Sequence, residues 1–204
     1  LLGGEYFYKD ELKGCYIKNP IEYVVGAFRK LEIPLSDDLL TNYELWNTLF
    51  WKVNALEMKV GDPPDVAGWP MWYMSPQYNE LWINSVTIPQ RSATVNQICT
   101  YGFTKKEFKY QVDHLAMAEK VSDPSDPNVL VLEWGRIFLP VDLSQERIDL
   151  LKDVLIPGLP DFEWGVEWNK YKADPDDVKH KNAIIAALKK LLVAMFNLPD
   201  YHLM

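Results

Sequence analysis

The chain has 204 residues, 48% of them apolar and 25% charged, which is enough core-forming material for one substantial domain and excludes disorder by composition. Lys and Arg total 21 against 29 Asp and Glu, a formal charge of −8 with no basic run. That balance excludes nucleic acid as a partner and offers nothing to an anionic membrane surface, and no apolar stretch is long enough to span a bilayer.

Aromatic residues are abundant, with eight Trp, eleven Tyr and eight Phe, and core packing is the simplest use for them. The two cysteines, Cys15 and Cys99, are too far apart in sequence for a disulfide scaffold or a zinc knuckle. One long-range disulfide and two buried thiols both fit. The chain opens at Leu1-Leu2-Gly3-Gly4 without an initiator Met, which reads as a mature or truncated product.

Taken in order, helix punctuation is legible from Asn19-Pro20 onward. This cap and first-turn pair precedes Ile21, Val24, Val25, Phe28 and Leu31 at helical spacing. Ser36-Asp37-Asp38 opens a second helix with an acidic first turn. Leu39, Tyr43, Trp46, Phe50 and Val53 form a stripe along it, widened by Leu45, Leu49 and Leu56, which predicts a deeply packed helix.

From Val60 to Pro76 the periodicity breaks over Gly61, Pro63, Pro64, Gly68, Pro70 and Pro76, predicting a long loop that continues to Asn79 and packs over the bundle. Helix resumes between Ile83 and Cys99, and Thr104–Lys120 reads as a further helix. Asp126-Pro127 repeats the cap-plus-Pro signature, Ser144 and Glu146 open a helix that Pro157-Gly158 stops, and Asp174-Pro175 begins the longest one. In that last helix Ile184, Leu188, Leu191 and Met195 share a face, with Ile185, Leu192 and Phe196 beside it. Strand signals are nearly absent. The expectation is an all-α, irregular helical bundle of about seven or eight helices, built around the Trp46 helix and the C-terminal helix as one domain over residues 1–204.

Standard catalytic motifs are missing: there is no Gly-rich phosphate loop, nucleophile elbow or His-Glu-x-x-His. His114, His180 and His202 are scattered, and nucleophile, base and orienter cannot be named together. Asp123, Asp126 and Asn128 offer oxygen ligands at close spacing, but the full calcium-loop pattern is absent and helix capping explains them more simply. No catalytic residue, metal or cofactor is assigned, and the chain leans away from being an enzyme.

The distinctive stretch is Asp62-Pro63-Pro64-Asp65-Val66-Ala67-Gly68-Trp69-Pro70, continuing to Trp82-Ile83-Asn84 and Arg91. It resembles the signature of the bacterial family called domain of unknown function 1800. Asn19 to Gly26, Glu5 to Tyr8 and the closing Leu198-Pro199-Asp200-Tyr201-His202-Leu203-Met204 are similar to flanking segments of that family. The longer, more aromatic segment Met71 to Asn79 resembles the Bacteroidetes form. Glu57 departs from it, standing where the family often has Gly, and so does Pro89, in what is usually a Leu-rich helix start. The resemblance implies that this chain is the C-terminal part of a larger protein, exported to the periplasm or cell surface. It supplies no reaction.

Candidate ligand-binding residues are Asp65, Trp69, Trp72, Tyr73, Glu80, Trp82 and Arg91. Flat rings beside carboxylates and a guanidinium suit a glycan surface, and Asp65 with Glu80 could serve as acid and base in glycoside hydrolysis. The architectural reading of the same residues makes Trp69 and Trp82 anchors, Asn84 a helix cap and Arg91 a partner of Asp65 or of loop carbonyls. A third reading is a protein-interaction module whose apolar helix faces pack on the N-terminal remainder of the larger protein, for which large exposed apolar patches would be the sign.

Overall fold

The computed structural model describes residues 4–5, 9–69 and 78–204. Among them are eight helices: α1 (Pro20–Lys30), α2 (Leu39–Ala55), α3 (Thr87–Thr100), α4 (His114–Glu119), α5 (Pro127–Phe138), α6 (Gln145–Leu155), α7 (Asp161–Ala173) and α8 (Val178–Phe196). A two-stranded hairpin, β1 (Phe103–Lys105) and β2 (Phe108–Tyr110), lies between α3 and α4. The fold is all-α apart from this hairpin.

The caps read from sequence act as written in three places. Asn19 accepts from the Glu22 amide while the Glu22 carboxylate accepts from the Asn19 amide, a reciprocal capping box before Pro20. Asp38 accepts from the Leu40 and Thr41 amides, and Asp126 accepts from the Asn128 amide ahead of Pro127. Each satisfies amide donors that a helix start leaves open.

The C-terminal helix is the hub. α8 packs against α3, α4, α6 and α7, burying Ile184, Leu188, Leu191, Leu192, Met195 and Phe196, the face its spacing predicts. The chain then turns through a short 3₁₀ segment, Pro199–His202, and pairs with the N-terminal side of α1. Ile17 bridges Leu203, the Lys18 amide donates to the His202 carbonyl at 2.8 Å, and the Met204 amide donates to the Tyr16 carbonyl at 2.8 Å.

Four expectations need correction. The second helix is peripheral: α2 packs on α1, α3 and β1 and buries Thr41, Asn42, Leu45, Leu49 and Val53, leaving Leu39, Tyr43 and Trp46 exposed. Asn42 sets this orientation. Its amide group bonds the Ser36 amide and carbonyl at 2.9 and 2.7 Å, and its oxygen accepts from the Tyr110 hydroxyl at 2.8 Å. A buried side-chain amide making three hydrogen bonds outweighs the pull of a wider apolar stripe.

Thr104–Lys120 is not one helix but the hairpin followed by α4. Gly102 takes φ +66°, and a Cβ there would lie 2.0 Å from the Tyr110 carbonyl oxygen, so only glycine admits the close pass that starts the hairpin. The last helix begins at Val178 with Asp177 as its cap, three residues after the Asp174-Pro175 signal. α7 was not anticipated. It runs unbroken through Gly165, a poor helix former, and its buried residues are Trp164, Trp168 and Tyr171, so tertiary packing makes this helix where local preference is weak.

Candidate functional site

The distinctive stretch divides into an exposed turn and a buried anchor. Asp65 closes a local turn, accepting from the Ala67 amide on its side chain and from the Gly68 amide on its carbonyl, both at 3.0 Å, with Gly68 at φ +106°. Asp65 and Glu80 are exposed, and Trp69 is half-buried against the core. Trp82 and Arg91, by contrast, are fully buried. Trp72 and Tyr73 lie outside the described residues.

Asn84 caps α3, its side-chain oxygen accepting from the Val86 and Thr87 amides at 2.8 and 2.9 Å, as the architectural reading holds. Its amide nitrogen also donates to Glu57 at 3.1 Å. Glu57 sits just past the end of α2 with φ +69°, the left-handed conformation that favours glycine after a helix. This is the position where the resembled family often carries Gly, and the backbone geometry supplies the reason.

Arg91 turns away from the loop. Its Nη2 donates to the Lys18 carbonyl at 2.9 Å and its guanidinium carbon lies 4.7 Å from the Tyr23 ring centroid. His202 stacks on the same Tyr23 ring, with centroids 5.1 Å apart. Lys18 reaches Tyr201, donating to its carbonyl at 2.5 Å and lying 4.1 Å from its ring centroid. Three basic side chains thus gather, all buried, around two tyrosines that themselves pack at 5.2 Å.

No carboxylate pairs directly with them; Glu22 acts on Lys18 only from a distance and only partly opposes the effect of burial. Every Asp and Glu of the chain falls among the described residues, and none forms an ion pair with Arg91 or Lys18. The nearest acid in the tail, Asp200, pairs with Arg147 instead. Burial first, then Lys30 and Arg91, lowers the Lys18 ammonium to about 7. Burial and then the two neighbouring cations lower His202 to about 4, and burial lowers Arg91 to about 10. What offsets these costs is the face of an aromatic ring and a backbone carbonyl. The arrangement clasps α1, α3 and the C-terminal tail together.

The sequence model described as "Protein of unknown function (DUF1800)" matches residues 1–203. The chain belongs to the DUF1800 family. No curated protein and no solved structure matches it. In this DUF1800 chain the family-like stretch therefore contributes Trp82 and Arg91 to the interior and Asn84 to a helix cap, with Asp65 and Glu80 left at the surface.

Two other expectations meet the structure here. Cys15 is exposed and Cys99 buried, and both are free thiols. His114 sits inside, its Nε2 within 2.8 Å of the Cys99 carbonyl, while Asp113 caps α4 through the Ala116 amide, so the adjacent pair serves packing and capping separately.

The most unusual surface is one that the sequence pattern assigned to the core. On the outward arc of α2, Leu39, Leu40, Tyr43 and Trp51 are each more than half exposed and Trp46 is 40% exposed. Tyr43 and Trp46 meet edge to face at 5.0 Å, as do Phe50 and Trp51 at 5.3 Å. Leu35, just before the helix, is exposed beside them, and a shallow groove runs between Leu35, Trp46 and Ile33.

Proposed function

We propose that this chain is an interaction domain: the C-terminal part of a larger exported protein, which docks on the remainder of that protein through the outward face of α2. The observation that carries the reading is the exposed arc itself. A helix with apolar residues along its outward arc as well as on its packed face has a second face to bury in its working state, and isolated apolar residues at a surface would not need such an account.

The spacing supports a helical occupant. Leu39, Tyr43, Trp46 and Phe50 follow one another at intervals of four, three and four, the seam that packs along a second helix. The neighbouring groove at Trp46 offers a hole for one side chain of that helix. The larger protein and its export both follow from the resemblance alone.

A photo-crosslinking amino acid at Tyr43 tests this. The reading expects a covalent product joining Tyr43's position to a peptide outside residues 1–204. Products confined to residues 1–204, or none, would remove it.

A further inference from the structure

A second surface, independent of the α2 reading, has the build of a small-ligand site. The turn after α6, together with α7 and α8, encloses a groove of about 290 Å³, at the small end of ligand-sized cavities. Ala183 and Ala187, one turn apart on α8, leave the space open, and Trp164 and Ile184 form its buried apolar floor. Leu159 is one wall and is itself more than half exposed. A solvent-open groove of this apolar character gains from being filled.

The only charged residues lining it are acidic: Glu163 and Glu167, on successive turns of α7. Glu167 is already engaged, accepting from Lys170 at 2.6 Å with His180 at 3.3 Å. Glu163 forms no ion pair among the described residues, although it stands half-buried at the rim. Apolar floor and unmatched carboxylate together select one chemistry. An anion would be repelled, and a neutral apolar molecule would leave the carboxylate partly desolvated beside it.

We propose that this groove binds a small amphipathic cation, an aliphatic or aromatic group ending in a single ammonium, with the tail on Trp164 and Ile184 and the ammonium at Glu163. The cavity admits one such tail and not a helix face.

Titration with hexylammonium chloride, followed by NMR on the Ala183, Ala187 and Ile184 methyl groups, tests the assignment against hexanoate and hexanol as controls. The expected result is saturable shifts of these methyls with hexylammonium at millimolar concentration and much weaker shifts with hexanoate. Glu163→Gln should weaken binding by about threefold to fivefold, the scale of one partly exposed charge contact, while leaving the fold intact. Ala187→Leu should fill the groove and abolish the shifts. Equal response to hexylammonium and hexanoate, an unchanged affinity in Glu163→Gln, or no saturable shift would overturn the proposal.

Discussion

Arg91 and Tyr23 form the inner contact of the clasp: a fully buried guanidinium whose carbon lies 4.7 Å from the tyrosine ring centroid, with no carboxylate beside it. A buried cation held by a ring and one carbonyl is costly to charge, and its long side chain fills space that a smaller residue would leave empty.

These two effects pull apart in different variants. Arg91→Ala should lower stability by about 3 kcal/mol, the scale of a large buried side chain deleted. Arg91→Met keeps most of the volume and removes the desolvated charge, so it should cost less than about 1 kcal/mol. Denaturant titration of both variants checks the ordering, and an Arg91→Met as damaging as Arg91→Ala would show that the charge itself holds the clasp.

The clasp also sets a pH dependence. His202 lies lowered to about 4 and Lys18 to about 7 in the folded chain, so the unfolded chain binds more protons than the folded one between each of these values and the ordinary one. Stability therefore rises with pH through both windows, and it falls on acidification from 6.5 toward 4 and from 10.5 toward 7. Lys18→Met should flatten the upper slope and leave the lower one. A stability that declines from pH 7 to pH 10 in the parent and not in the variant would reverse the sign and defeat the account.

Glu57 offers a prediction with the opposite sign to most substitutions. Its φ of +69° costs a non-glycine residue about 1 kcal/mol, against one partly exposed hydrogen bond to Asn84. Glu57→Gly should stabilise by about 0.5 kcal/mol, and Glu57→Val should destabilise by more than 1 kcal/mol, both read from thermal or chemical unfolding.

Trp82 and Trp69 should separate cleanly. Trp82→Ala, at a fully buried position, should cost about 3–5 kcal/mol. Trp69 is only half-buried, and Trp69→Ala should cost roughly half as much. Equal losses would mean that both rings anchor the stretch to the same extent.

Much of this fold is legible from short-range chemistry. Caps at Asn19, Asp38 and Asp126 announce their helices because a side-chain oxygen near a helix start has one evident use, and the buried face of α8 follows its spacing. What failed were decisions that depend on partners distant in sequence. Two overlapping stripes on α2 satisfy the same period, and the bonds of Asn42 to Ser36 and to the distant Tyr110 favour one of them. The hairpin at Phe103 depends on a backbone approach to Gly102, and α7 depends on packing. For the site, Arg91 stood out as a residue, yet its partners Tyr23, Lys18 and His202 lie in other segments, and no local motif joins them. The acid-rimmed groove had no signal at all, since two alanines and a pair of glutamates on separate helices are ordinary until they face each other.

The proposed docking face admits a direct test. Hydroxyl-radical footprinting would compare Tyr43, Trp46 and Trp51 in the proposed larger protein with the same residues in the 204-residue chain alone. The account predicts strong oxidation of all three in the chain alone, where they are 40–56% exposed, and marked protection in the larger protein. Equal oxidation in both would contradict it and leave the outward face of α2 as bare surface.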